Sequence, residues 1–313
     1  MRNVLVTGGA GFIGSHLSEA LTDRGDSVIV IDNLSTGKNT FNSSVEFIEG
    51  SIFDLPLMDK LISQSDYVLH LAAAVGVFNI VNNPLASLLT NIRGTENVLE
   101  AAHSAKTPVF LTSSSEVYGK NVSNSLKESD DRILGSPVTL RWSYSEAKAI
   151  DESLAYAYFV ENGLETRIVR FFNTVGPRQS GKYGMVIPRF VRAAIDNKPL
   201  QIFGDGSQTR VFCHVSDSVK AILALSVNDK TIGEVFNIGG KGEISILELA
   251  KLIIKQTNSK SEITFTDYED AYATGFEEMA RRVPDISKLT KFTGWEPELG
   301  LDTIIDDVSK SYH

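Results

Sequence analysis

Cysteine is almost missing from this chain. Of 313 residues only Cys213 carries a thiol, so no internal disulfide framework can form and a reducing compartment is expected. Flanked by Val211-Phe212 and His214-Val215, it reads as a small packed hydrophobe and not as a nucleophile. Positive charge is also short: 30 Lys and Arg stand against 39 Asp and Glu, a net charge of −9. That balance gives no basic footprint for nucleic acid, and any phosphate site has to be local. No apolar run reaches membrane-spanning length, and the first residues lead straight into a strand without a leader-like segment. The 5 histidines show no metal-ligand spacing, so no metal is expected. A cytoplasmic protein with no membrane or nucleic-acid partner is the expectation. What remains, 42% hydrophobic and 22% charged residues, is ordinary globular composition. The length suffices for a large core and one or two domains.

The most informative stretch lies in the first 32 residues. An apolar strand (Val4-Leu5-Val6) runs into Thr7-Gly8-Gly9-Ala10-Gly11-Phe12-Ile13-Gly14, then a helix, a second apolar strand and an acid, Asp32. Gly8 permits a tight turn, Gly11 lets the backbone approach a pyrophosphate, and Gly14 allows close helix–sheet packing. The first helical turn, Phe12 and Ile13 included, offers uncapped N–H groups and the positive end of the helix dipole. Asp32, with Asn33 beside it, can accept from ribose hydroxyls and would repel a 2′-phosphate, which favours NAD over NADP.

Apolar runs then alternate with amphipathic stretches. Strands are expected at 3–7, 27–31, 45–49, 67–71, 109–112 and 166–170, and helices at 14–24, 56–64, 84–105 and 144–162. This alternation implies an α/β fold, a Rossmann-type doubly wound parallel sheet. The polar stretch 120–141 reads as a long functional or mobile loop. Beyond Phe172 the alternation is broken by Pro and Gly, which suggests a smaller, discontinuous C-terminal substrate domain. The expected division is a dinucleotide-binding domain over 1–172 with a returning segment near 210–240, and a second domain from 173–209 and 241–313. A strand at Val235-Phe236-Asn237-Ile238 would rejoin the sheet, and 245–256 carries Ile246, Leu249, Ala250 and Ile253 at helical spacing.

Tyr144-Ser-Glu-Ala-Lys148 places a phenol and an ammonium one helical turn apart on one face. Each favours the charged form of the other, so a phenolate near neutrality is expected, able to take a proton from a substrate hydroxyl as hydride leaves the same carbon. Thr112-Ser113-Ser114-Ser115-Glu116-Val117-Tyr118-Gly119 follows a strand, where open α/β sheets bind ligands. Ser114 could hydrogen-bond the reacting oxygen, with Ser115 next to it, and Glu116 would supply an additional acid or base. The same run could also simply end a strand.

The glycine motif, Asp32, His70-Leu71-Ala72-Ala73, Ser114-Ser115-Glu116-Val117-Tyr118-Gly119, Tyr144-x-x-x-Lys148, Arg170-Phe-Phe-Asn173-x-x-Gly-Pro-Arg178 and Gly294-Trp-Glu-Pro297 together resemble the extended short-chain dehydrogenase/reductases that remodel nucleotide sugars. The match spans essentially the whole chain, in order. It implies a Rossmann domain holding NAD, a small domain holding a nucleotide diphosphate, and a homodimer formed through helices 84–105 and 144–162. Tyr144 is then the base, Lys148 tunes it and holds the nicotinamide ribose, and Ser114 stands where the family has Ser or Thr. Leu71, Ala72, Ala73 and Asn91 would line the cofactor. UDP-sugar contacts carry over to Asn173, Arg178, Val186, Arg210 and Arg282, for which bidentate guanidinium groups suit diphosphate oxygens. One departure is Gly50-Ser51-Ile52, where the family has Gly-Asp-Ile or Gly-Asp-Leu, so adenine recognition would rest on Ser51, Ile52 and backbone groups.

The family shares oxidation of sugar carbon 4 and differs in the later steps. Ser114-Ser115-Glu116 resembles the Thr-Ser-Glu of UDP-glucuronate decarboxylases. Arg141-Trp142-Ser143-Tyr144 is similar to the Arg-Trp-x-Tyr of the decarboxylase domain of lipid A aminoarabinose synthesis and of UDP-apiose/xylose synthase. The stretch from Tyr272 to Phe276, followed by Arg282-Val-Pro284-Asp-Ile286, resembles the segment closing over the nucleotide in those enzymes. UDP-glucuronate decarboxylation is the preferred expectation, with Glu116 or a water reprotonating carbon 5. A UDP-sugar 4-epimerase, a 4,6-dehydratase and a non-catalytic NAD sensor remain open.

Overall fold

A computed structural model describes residues 1–312 apart from 182–183, 268–276 and 278. The expected Tyr272–Phe276 segment therefore lies outside the described residues.

Strands β1 (Asn3–Thr7), β2 (Ser27–Asp32), β3 (Val45–Glu49), β4 (Tyr67–His70), β5 (Val109–Ser114) and β6 (Thr166–Phe171) are parallel. The Val/Ile/Leu-rich runs of β1, β4 and β5 are buried on both faces, as the centre of a sheet covered on each side by helices requires. Helices α1 (Phe12–Asp23), α2 (Leu55–Ser63), α3 (Val77–Asn82), α4 (Pro84–Ala105) and α5 (Ser143–Asn162) make the crossovers. Two apolar cores form, one on each face of the sheet. Leu17 and Leu21 of α1 pack with Val4, Val6 and Val28 on one side, and Val98, Leu99 and Ala102 of α4 with Leu5, Ile31 and Val109 on the other.

Beyond β6 come β7 (Thr174–Val175), α6 (Val186–Ile195), β8 (Leu200–Phe203), β9 (Thr209–Arg210), β10 (Cys213–His214) and α7 (Val215–Ser226). Strand β11 (Val235–Ile238) then pairs with β6, so the expected returning strand is present. The central sheet has seven strands in the order β11-β6-β5-β4-β1-β2-β3. Strand order reverses between β4 and β1, and such a switch point opens a crevice beyond the carboxyl ends of the strands. Thr7, Asp32, His70, Ser114 and Phe171 all end strands there.

A third core gathers Ile187, Phe190 and Val191 of α6 with Leu249, Ala250 and Ile253 of α8 (Ile246–Gln256) and Ile304 and Ile305 of helix Leu301–Lys310. Helix α8 starts in a capping box. The Ser245 hydroxyl accepts from Glu248 N at 3.2 Å and bonds the Glu248 carboxylate at 3.1 Å. Strand β12 (Ile244–Ser245) runs antiparallel to β9, and β13 (Ile263–Thr266) pairs with β8. Strand β14 (Arg281–Arg282) takes the other edge of β9, which sets Arg282 beside Arg210. The 120–141 stretch is a loop as expected, yet it is pinned. Gly119 bridges Ile133, Leu126 bridges Pro284, and the Asn237 amide donates to Leu126 O at 2.9 Å.

Candidate active site

The turn after β1 is shaped by contacts that leave no room for side chains. Gly8 sits at φ +70°, and a Cβ there would meet Ala72 N at 2.6 Å. A Cβ on Gly14 would overlap Gly8 O. Gly11 is the N-cap of α1 and provides no side-chain cap, so the first-turn N–H groups of Phe12 and Ile13 lack one. Asp32 accepts from Ala10 N at 3.0 Å and from Leu34 N at 2.8 Å, which holds the following turn with Leu34 at φ 56°. Asn33 is exposed and its side chain accepts from Ser35 N. This cradle of close-packed backbone, open helix end and acid fits a dinucleotide.

The cofactor floor is the loop after β4. Leu71 N donates to Thr7 O at 3.0 Å and Ala72 N to the Thr7 hydroxyl at 3.3 Å. Ala73 comes next, half-buried. Asn91 of α4 is fully buried and closes a two-way pair with Ala74, accepting from its N–H at 2.8 Å and donating to its carbonyl at 3.2 Å. Asn91 thus braces the floor through Ala74. Ser51 accepts from Phe53 N, and Ile52 is buried with its side chain against Gly94.

Tyr144 and Lys148 occupy the first turns of α5, with Ser114 ending β5 next to them. Several groups act on the Tyr144 hydroxyl. Burial pushes the Tyr144 hydroxyl above its ordinary range; Lys148 and the Ser114 hydroxyl pull it down, but Glu116 and Asp151 push it up again. Lys148 is 2% exposed and donates to Asp151 Oδ2 at 3.0 Å and to Thr112 O at 3.1 Å. Burial alone would strip its proton, and the carboxylate of Asp151 raises it above the usual ammonium range instead. The lysine's pull on the phenol is partly offset by its own ion-pair partner.

Glu116 lies in the 3₁₀ turn Ser115–Tyr118, with Ser115 buried at its start. Its carboxylate pairs with Arg141 Nη1 at 2.5 Å and with Arg282 Nη1. Burial raises it, yet Arg141 and Arg282 outweigh that and hold it down at about 2. Near neutrality this carboxylate is ionised and held by the two arginines. Arg282 also donates to Asn173 Oδ1 at 2.7 Å, and Asn173 donates to Val211 O at 2.9 Å. Arg210 is 8% exposed and bonds Thr209 O at 2.8 Å. Val186 opens α6, half-buried.

Arg178 is not part of this cluster. It forms a bidentate pair with Glu19 at 2.7 Å and meets His16 Nδ1 at 2.7 Å, while His16 Nε2 meets Pro177 O. These contacts clamp α1 to the 177–178 turn. Burial pushes the Cys213 thiol up to about 12, in keeping with a packed, inert residue. Sequence reading assigned no site role to Arg141 or Asp151. Arg141 stood only in a resemblance, although its place three residues before Tyr144 was visible. Asp151 lies one helical turn after Lys148, a spacing that was equally visible.

The model of the NAD dependent epimerase/dehydratase family matches residues 4–239. The UDP-N-acetyl-alpha-D-glucosaminuronate decarboxylase of Bacillus cytotoxicus is 42% identical over 95% of this chain and 94% of its own length. UDP-glucuronic acid decarboxylase 1 of Arabidopsis thaliana is 37% identical over 95% of the chain and 67% of its own length. The structure of UDP-glucuronic acid 4-epimerase from Bacillus cereus, in complex with UDP-glucuronic acid and NAD, superposes with a TM-score of 0.88 at 30% identity, covering 99% of this chain and 98% of that one. Family and cofactor follow together from these likenesses and from the glycine cradle: the chain is an NAD-dependent enzyme of the NAD dependent epimerase/dehydratase family.

Proposed function

We propose that this enzyme decarboxylates a UDP-hexuronate, with UDP-glucuronate or its 2-acetamido counterpart as substrate. The observation that carries the reading is the Arg141–Glu116–Arg282 cluster beside Tyr144, which sets two guanidinium groups against one carboxylate. Guanidinium groups converging in a buried site suit the carboxylate of a uronate better than the hydroxymethyl group of a neutral hexose. The 42% identity with a decarboxylase of the 2-acetamido sugar supports the same chemistry.

NAD, when bound, supplies the hydride acceptor for carbon 4. Tyr144 takes the proton of the carbon-4 hydroxyl, and Ser114 holds the same oxygen. The resulting 4-keto uronate is a β-keto acid. Its carbon–carbon bond to the carboxylate breaks, carbon dioxide leaves, and the electron pair passes to the enolate oxygen, which the Ser114 and Tyr144 hydroxyls stabilise. Water, and not Glu116, returns the proton to carbon 5. Glu116 holds Arg141 and Arg282 in register for the carboxylate. Lys148 holds the ribose, and Arg210 with Asn173 receives the diphosphate end.

Product analysis by NMR after incubation with UDP-glucuronate, UDP-N-acetylglucosaminuronate and UDP-glucose tests this. A five-carbon sugar product from either uronate is expected. Formation of UDP-galacturonate without carbon dioxide would establish the epimerase reading, which likeness to the solved 4-epimerase favours. We place the enzyme in the cytoplasm as a homodimer paired through α4 and α5, whose outer faces expose Leu85, Ile150, Tyr156 and Val160. Light scattering of the purified protein at twice the chain mass would support the dimer, and a monomer would refute it. Among the described residues no helix is long and apolar enough to cross a membrane.

A further inference from the structure

Next to the catalytic pair lies a buried polar chain. Ala72 N donates to the Thr7 hydroxyl, which meets His70 Nδ1 at 2.7 Å. His70 Nε2 meets the Thr95 hydroxyl at 3.1 Å. Burial and the nearby Lys148 charge hold His70 down at about 3, so the ring is neutral and has one proton to place. Thr95 lies against Asp151 and favours its ionised form, and Asp151 meets Lys148 at 3.0 Å. Thr112 closes the path, its hydroxyl on His70 O at 2.9 Å and its carbonyl on Lys148. Every residue of the chain except the Ala72 backbone is nine-tenths or more buried.

We propose that Asp151 is a positioning residue of the active site: its sealed carboxylate keeps the Lys148 ammonium charged and fixed, and its negative charge sets the pH at which Tyr144 becomes a base. The inference rests on Tyr144 as the base, and so on the reading above, but not on which sugar is bound. Two consequences of one carboxylate oppose each other. Lys148, at 2% exposure, would shed its proton without a counter-ion, and a neutral amine would give the phenol no help. With the counter-ion present, the pair is neutral overall and its pull on the phenol is weakened. The other charged groups are already balanced or accounted for. Glu152, next on α5, is held bidentately by Arg170 of β6 at 2.7 and 2.9 Å. From the β5 side Glu116 faces the phenol, and Arg141 and Arg282 neutralise it. His70 is neutral. Asp151 is therefore the one acid in this surrounding whose partner is the lysine itself.

Asp151→Asn tests this, since the amide keeps an oxygen for the Lys148 ammonium and removes the charge. The near-ultraviolet phenolate absorbance of cofactor-free protein, taken as the difference from the matching Tyr144→Phe background, isolates the titration of Tyr144. It is expected at higher pH in Asp151→Asn than in the unaltered chain, because the buried ammonium loses its counter-ion and its pull on the phenol outweighs that of the carboxylate, with the acid limb of kcat/KM shifted the same way. An unmoved titration, or one moved to lower pH, overturns the proposal. If Asp151→Asn does not fold, Thr95→Val serves instead. Loss of the hydroxyl disfavours the ionised form of Asp151 and so weakens its hold on the Lys148 proton, and the Tyr144 titration should move to higher pH; no movement refutes the proposal. The absorbance titration needs no turnover, so it reads Asp151 even if the uronate reading fails.

Discussion

Two buried ion clusters act on the Tyr144 hydroxyl, and they differ in make-up. In the back cluster, on α5, Lys148 and Asp151 pair one to one and are sealed at 3% and 0% side-chain exposure. In the front cluster Glu116 is shared by Arg141 and Arg282, with exposures of 13%, 5% and 12%. A one-to-one pair leaves no net charge for an anion and acts on its neighbour's proton. Two arginines that converge on one carboxylate are placed to take a second, which in the proposed reaction is that of the substrate. Desolvation makes both clusters costly to break, because removing one partner leaves a buried charge uncompensated.

The comparison can be broken in order of expected effect. Tyr144→Phe removes the group both clusters act on, and kcat should fall about 10³-fold with NAD binding retained. A fall under about tenfold would show that another group takes the proton. Arg141→Ala exposes Glu116 to a single partner and should destabilise the fold by about 3 kcal/mol in denaturant titrations, a typical cost for breaking a buried pair. Arg282→Ala, nearer the crevice, should weaken binding of UDP-glucuronate by about 2 kcal/mol, roughly 30-fold, while leaving UDP-glucose binding within a few-fold. Equal losses for the two ligands would dissolve the distinction between front and back clusters.

Acid sharpens it further. Glu116 is held at about 2 against an ordinary 4.5, so the stability it contributes is fully present above pH 4.5 and lost as pH falls toward 2. Glu116→Gln should flatten unfolding free energy over that window, and an unchanged slope would mean that the two arginines do not grip it. The smallest effect belongs to Arg178→Ala. That half-exposed clamp on Glu19 should change stability by at most about 1 kcal/mol and leave KM unaltered. A large rise in KM would return Arg178 to the substrate site.

How much of this was visible in the chain depends on the same contrast. The cofactor cradle is local: Gly8 to Asp32 is one strand–turn–helix–strand unit, and both Asp32 hydrogen bonds fall within 22 residues of sequence. Tyr144 and Lys148 are local as well, one turn apart on a helix whose period dictates their shared face. The front cluster is not. Arg282 reaches Glu116 across 166 positions and Asn173 across 109, through two-residue strands β9 and β14 that no hydrophobic alternation announces. Helix α7 was also illegible. It is buried nearly all round, so it shows no amphipathic stripe, and its cap is a histidine, His214 Nδ1 accepting from Ser216 N at 3.1 Å. The charges acting on Tyr144 were less legible for a different reason: a spacing rule pairs two residues, whereas titration sums burial and every charge nearby.

The most direct measurement tracks carbon dioxide from UDP-glucuronate or UDP-N-acetylglucosaminuronate labelled at the carboxyl carbon, with NAD present. The account predicts label released as carbon dioxide in step with consumption of one of these uronates, and loss of that release in Tyr144→Phe. Label retained in a uronate product while the substrate disappears would contradict it.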